Sequence, residues 1–384
     1  MKRRKFLKAG SAIIASTSLA ACGGGDTTAP SLPANNKTDV KPDPIKLPDP
    51  VKPIGDTSIV KKTFYITEGT KPLANASGTF PVYFRGFSSA ETVLNVPGEA
   101  LMLREGNNVE ITIINKLTTA HNFTIENVNR VGNEDLTVSV DLAPGATETV
   151  SFIAGSPGTY MYYDSSNAPY NRLLGLHGAL AVIPANSDNE LYPSSRTFKK
   201  QLFWVFNTID PVWHNALGAK PSLTPNTKFK PRYFTMNGLS GRPPGAPGDK
   251  DGNQSSMYDP RTKLKGAIGD RTLVRCVNAG KMKHSVHIHA NHMEWLPKTG
   301  ESRKDVWEKD IIPLMANGGI ENVIYPFAPP PDCVNTFDEA SIIAEEANGV
   351  EIVYPMHLHD EMTQTAAGGS YQFGAMTDVF YTSK

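Results

Sequence analysis

Cysteine is scarce: three in 384 residues, at Cys22, Cys276 and Cys333. That excludes a small disulfide-built scaffold, which needs a dense cysteine framework in a short chain. An oxidising compartment permits one pair, Cys276 with Cys333, and a buried free thiol at Cys276 is the other reading. Net charge is missing as well, because 38 Lys and Arg balance 38 Asp and Glu. Bulk electrostatics therefore give no reason to expect a nucleic-acid partner. Long helical periodicities are few. The one apolar run near the start, Ala9 to Ala21, is too short to span a bilayer. No Ser-His-Asp set and no Gly-rich phosphate loop is legible, which leaves hydrolysis and nucleotide binding unsupported.

Turn formers are plentiful, with 32 Gly and 30 Pro, and strand formers are frequent. This points to an all-β chain with room for about two domains. The first residues form an address. Lys2-Arg3-Arg4-Lys5-Phe6-Leu7-Lys8 precedes the short apolar run, and Leu19-Ala20-Ala21-Cys22 closes it. A basic start and a short apolar segment make an export signal. The Arg-Arg block resembles a twin-arginine signal, and the closing four resemble a bacterial lipobox with Cys22 as the lipidated residue. A signal over 1–22 with a lipid anchor on Cys22 implies the periplasmic side of a bacterial membrane. Residues 23–58 are Pro-rich without apolar periodicity, and are expected to be a disordered tether.

From residue 59 short alternating segments begin. Val109, Ile111 and Ile113 alternate with polar residues, as do Leu136, Val138 and Val140, then Val150 and Phe152. Turn pairs separate them at Pro97-Gly98, Glu105-Gly106, Pro144-Gly145 and Pro157-Gly158. Strands at this spacing predict a β-sandwich with Greek-key connections. One helix is expected late, over Asp338 to Asn348, stopped by Gly349.

Histidine is concentrated where the rest of the chain has little of it. Nine are present, and His284, His287, His289 and His292 fall within nine residues. His357 and His359 form a second pair near the end. In a strand, residues two apart share a face. Two His-x-His pairs on neighbouring strands would bring four imidazoles to one point, a donor set suited to Cu(II) or Zn(II). His284 is an odd step from His287, so a regular strand turns it to the other face. Glu308 and Asp310 could share a strand face, but read as solvated carboxylates.

Several segments resemble multicopper oxidases: Asn95 to Val109, Gly158-Thr159-Tyr160-Met161-Tyr162-Tyr163, Gly175 to Val182, Tyr233 to Gly238, and Gly269 to Gly280. The resemblance implies two cupredoxin-like sandwich domains, at 59–186 and 187–384. It would make His284 a type 1 ligand, His287 a type 2 ligand, and His289, His357 and His359 type 3 ligands. The departures are as informative. Leu358 replaces the thiolate of the last motif, and Thr363 falls where a later histidine is expected. In the first half Tyr163 and Ser165 stand at ligand positions, Asp164 at a cysteine place and Leu176 at a methionine place. His121 fits an upstream ligand position without its partners. His177 and His214 read as structural, while Glu361 and Gln364 are further groups near the last pair.

Such an oxidase needs a thiolate-bound entry copper and eight cluster histidines, so laccase-like turnover is not expected. The reading is an exported, membrane-tethered copper-binding protein, with zinc as a second metal and non-blue redox chemistry as its oxidoreductase function. The alternative is a non-catalytic metal carrier or scaffold. Homo-oligomerisation is left open.

Overall fold

The computed structural model describes residues 59–75, 77–219, 228–241, 255–257, 259–298, 305–333, 336–367 and 372–384. The expected signal and tether, Cys22 and most of the Gly/Pro-rich loop after Ser240 lie outside the described residues. The alternation places strands where expected. The first series is β1 (Val60–Asn75), β2 (Gly78–Ser88), β3 (Gly98–Arg104), β4 (Asn108–Asn115) and β5 (His121–Val131). It continues with β6 (Glu134–Leu142), β7 (Thr147–Ile153), β8 (Gly158–Tyr163) and β9 (His177–Ile183). These pair into two sheets, ordered β2-β1-β4-β7 and β3-β9-β8-β5-β6.

Val109, Ile111 and Ile113 point inward from β4, because period-two alternation puts every second side chain on the core face. Phe64, Phe87, Phe123 and Tyr162 fill the space between the sheets, with Phe64 and Tyr162 stacked at 5.1 Å. Each such ring contributes roughly 1.5–3 kcal/mol by leaving water. Tyr162 reaches its position because Gly178 has no side chain. A Cβ there would sit 2.2 Å from the phenol oxygen.

The second series is β10 (Lys200–Ile209), β11 (Tyr233–Met236), β12 (Leu264–Gly266), β13 (Arg271–Asn278), β14 (His284–Ile288) and β15 (Met293–Trp295). It ends with β16 (Trp307–Lys309), β17 (Ile311–Leu314), β18 (Gly319–Pro326), β19 (Ile352–Leu358) and β20 (Met376–Tyr381). Again two sheets form, β11-β10-β13-β18-β15-β16 and β12-β20-β19-β14-β17. The fold is therefore all-β, two cupredoxin-like Greek-key sandwiches. Trp204, Phe206, Met356, Leu358 and Tyr381 lie in the second core.

Among the described residues three α-helices interrupt the strands: α1 (Tyr170–Leu173), α2 (Pro211–Ala219) and α3 (Glu339–Ala347). The last is the helix expected from sequence. Asp338 caps it, accepting from Ser341 N at 2.8 Å, while Ser341 Oγ bonds back to Asp338 N. Gly349 stops it at φ +73°, a left-handed conformation that glycine adopts without strain.

The two halves are joined by buried polar contacts. Arg275 of β13 is fully buried, and burial pushes its guanidinium down to about 9. It donates to Gln201 Oε1, to Gly158 O (3.1 Å) and to Thr159 Oγ1 (2.9 Å) across on β8. Arg172 reaches back from α1 to Ala279 O at 3.0 Å. Cys276 is a buried free thiol, so of the two readings of that residue the unpaired one holds.

Candidate metal centre

β14 lies between β17 and β19, antiparallel to both. Its register with β19 puts His287 directly opposite His357. Strand parity then divides the histidines. Val286, Ile288 and Leu358 point into the core, whereas His287 and His357 point out of it. His289, just past the end of β14, turns to the same face. Its backbone N–H bonds to Pro355 O at 3.1 Å.

Three imidazoles meet there. One ring nitrogen from each of His287, His289 and His357 lies within 4.8 Å of the other two. His289 Nε2 and His357 Nε2 are 3.1 Å apart. Two nitrogens bound to one ion at about 2.0–2.1 Å would be separated by about 3 Å, so this spacing fits a shared metal. The other ring nitrogens set the tautomers. His287 Nδ1 donates to Asp310 O at 3.0 Å, and His357 Nδ1 donates to Leu358 O at 3.2 Å. Both bonds leave Nε2 as the lone-pair atom, as a ligand requires.

Electrostatics also favour the neutral, binding form. Burial lowers the pKa of His287 and of His357. His289 is lowered to about 4 by burial first, then by repulsion from the neighbouring rings. At neutral pH the three ligands therefore need lose no protons before binding.

The remaining predicted ligands stand apart. His359 is exposed at the rim, its ring 5.3 Å from that of His287 and 6.0 Å from that of His357. It is not one of the three with mutually close nitrogens. His284 points to the opposite face of β14, fully buried, beside Phe206 at 6.0 Å. Neither of its ring nitrogens has a hydrogen-bond partner, and burial lowers its pKa to about 4. One ring N–H is thus buried without a partner, a cost of about 1–3 kcal/mol. His284→Leu is expected to recover this, raising Tm of the metal-free protein in a thermal melt. A lower Tm would show that the ring has a partner.

Two supports of this face are not legible in sequence. Asp310 reads there as a solvated carboxylate, and its side chain is exposed, 4.0 Å from the His287 ring, but it is the backbone carbonyl that orients His287. A polar network also holds the turn after His289. Tyr325 OH donates to His289 O at 3.2 Å and meets Tyr381 OH at 3.2 Å, while Asn291 Nδ2 donates to Tyr381 OH at 2.7 Å. Between His289 and Asn291, Ala290 takes φ +72°. That conformation costs a non-glycine residue roughly 1–2 kcal/mol, and the flanking bonds hold it.

The thiolate position is filled by a hydrocarbon. Leu358 is fully buried between the two histidines of the last motif. Among the described residues no cysteine joins the cluster. In the first sandwich Asp164 is fully buried and bonded to His121, Leu176 is in the core, and Ser165 bonds to Asn122 and Thr124. His214 is held by Asp210 O and Leu173 O, and His177 by Arg172 O.

Residues 91–187 match the family model described as multicopper oxidase. That match spans about a quarter of the chain and lies within the first sandwich. Over 84% of its length the chain is similar in structure to a blue copper oxidase from Nitrosomonas europaea, with TM-score 0.61 and 18% identity, covering 86% of that chain. A copper nitrite reductase from the same organism matches at TM-score 0.55 and 17% identity, covering 85% and 94%. In sequence, the copper-containing nitrite reductase of Alcaligenes xylosoxydans xylosoxydans is 22% identical over 222 residues. That alignment covers 54% of this chain and 62% of the reductase. The chain is thus a multicopper-oxidase-like, copper-nitrite-reductase-like cupredoxin protein, and its relatives are copper proteins.

Proposed function

We propose that this is an exported copper protein, lipid-anchored through Cys22 on the periplasmic side of a bacterial membrane. In this reading His287, His289 and His357 hold one non-blue copper, with His359 at the rim. The observation that carries it is the mutual 4.8 Å approach of three ring nitrogens on one strand pair. The twin-arginine-like start and the lipobox-like Leu19-Ala20-Ala21-Cys22 support the export and the anchor.

Bound there, copper would supply a one-electron redox centre with a position left open to a small ligand. The chain's own part is to orient and to desolvate. Asp310 O and Leu358 O hold two imidazoles in the ligating tautomer. The apolar core side chains Val286, Ile288 and Leu358 back the site and exclude water from behind it. Without a thiolate beside His357, rapid electron entry of the oxidase kind has no route, so oxidation of phenols should be slow or absent. The partly exposed histidines favour a second reading, a carrier that exchanges its metal with a donor.

Copper loading followed by absorption and electron spin resonance tests the reading. One Cu(II) per chain with nitrogen hyperfine structure and no intense blue band is expected. An intense blue band would sink the non-blue site. Protein isolated from its own compartment with zinc alone would sink copper as the native metal. Oxygen uptake with phenolic reductants separates the redox reading from the carrier.

A further inference from the structure

The first sandwich holds a second arrangement of chemically able side chains. His121 opens β5, and its Nδ1 donates to Asp164 Oδ2 at 2.6 Å, with both side chains fully buried. A carboxylate only accepts, so the proton sits on Nδ1 and Nε2 carries the lone pair. Thr119 Oγ1 lies 3.0 Å from that Nε2 and is the donor to it. The three form a hydroxyl–imidazole–carboxylate series. Chain order hides it, because Asp164 is 43 residues from His121 and reaches it only through the pairing of β5 with β8. No Ser-His-Asp set is legible along the chain; the tertiary structure assembles one with threonine as the hydroxyl.

Each member is fixed by further bonds. Asp164 accepts from Ser166 N (2.8 Å), Ser166 Oγ (2.5 Å) and Asn171 Nδ2 (3.0 Å). These donors hold its orientation toward the imidazole. Asn115, fully buried, donates to Thr119 O at 2.9 Å and accepts from Leu117 N at 3.0 Å, which anchors the turn that carries Thr119. Thr119 is partly exposed as a residue, whereas the side chains of His121 and Asp164 are fully buried.

Thr119 and His121 line a cavity of about 530 Å³, together with Arg85, Asp141, Ser166 and Asn171. Arg85 is 3% exposed, and its Nη2 is buried without any hydrogen-bond partner. Its Nε is already given to Tyr83 OH at 2.8 Å. Its positive charge beside the cavity favours a bound oxygen that gains negative charge.

We propose that this cavity is a hydrolytic site for short carboxylic esters, separate from the histidine cluster. Thr119 Oγ attacks the ester carbonyl carbon as its proton passes to His121 Nε2, and Asp164 stabilises the imidazolium. The carbonyl oxygen becomes an oxyanion, whose charge the Arg85 guanidinium beside the cavity stabilises. The carbon–oxygen bond to the alcohol then breaks, and His121 returns the proton to the departing oxygen. Water attacks the acyl-threonine with His121 again as base, which releases the acid and restores the hydroxyl. No oxidant or metal is consumed.

The test is hydrolysis of p-nitrophenyl acetate by the full-length protein, read as nitrophenolate release. Thr119→Val, which keeps the side-chain shape and loses the hydroxyl, should lower the rate by about 100-fold or more. Thr119→Ser should restore measurable activity. Treating the wild-type protein with a metal chelator should leave the rate unchanged, which separates this site from metal chemistry. Mass spectrometry of quenched reactions should place an acetyl group on Thr119. A wild-type rate no faster than buffer overturns the proposal. So does a Thr119→Val rate equal to wild type, or loss of activity on chelation. Matching thermal melts of Thr119→Val and wild type identify a rate loss as chemical; if Thr119→Val melts early, the acetyl label and the serine variant decide.

Discussion

His289→Ala is expected to weaken copper binding by on the order of 100-fold or more, measured by competition with a chelator of known affinity. Removing a group that only orients a ligand costs 10–100-fold, and His289 is itself one of the three converging donors. Its Nε2 is the atom 3.1 Å from His357 Nε2, so the variant leaves two donors without their nearest partner. His359→Ala should cost much less, because that ring is exposed and outside the group of three. Equal losses from the two variants would mean that His359 is a full ligand. No loss from His289→Ala would sink the site. The comparison stands apart from any effect on folding, because both rings are at least partly exposed and far-ultraviolet circular dichroism monitors the sandwich.

The second large effect is acid destabilisation of the metal-free protein between about pH 6.5 and 4. His177, His214 and His284 are fully buried, and burial lowers each from 6.5 to about 4. The unfolded chain therefore binds protons in this window that the folded chain refuses, so stability falls as pH falls. Asp378 acts in the opposite sense. Burial, then repulsion from Glu351, raises its pKa to about 7, so the folded chain holds a proton there that the unfolded chain lacks. Three such histidines against one such carboxyl leave a net of about two protons, or roughly 2.7 kcal/mol per pH unit in mid-window. His289 adds to the same sign, reduced by its solvent exposure. Urea unfolding at pH 7, 6 and 5 checks this. A stability that rises from pH 6.5 to pH 5 would contradict it.

Much of the fold is legible in the sequence. Period-two alternation in Asn108–Asn115 and Thr147–Ile153 places strands because a strand can bury only every second side chain. The helix ending at Gly349 is legible for a local reason too, a cap at one end and a left-handed residue at the other. Strand parity alone separates His284 from His287. The pairing of strands is not legible, because register depends on contacts between residues far apart in sequence. Nothing local says that His287 faces His357 rather than His359, yet that register makes a group of three with a fourth ring at the rim.

By itself, then, the sequence determined the all-β class, the strand parity of the histidines, and the absence of a thiolate beside His357. These follow from residue identity and from the two-residue repeat of a strand, which are local properties. Only the tertiary structure decided that Asp310 O orients His287, and that Tyr325 and Asn291 brace the turn after His289. It alone brought Thr119, His121 and Asp164 into one series beside a cavity. Each is a hydrogen bond with a directional reach of about 3 Å. Such bonds exist only after sheet register and packing have set two distant backbones in place.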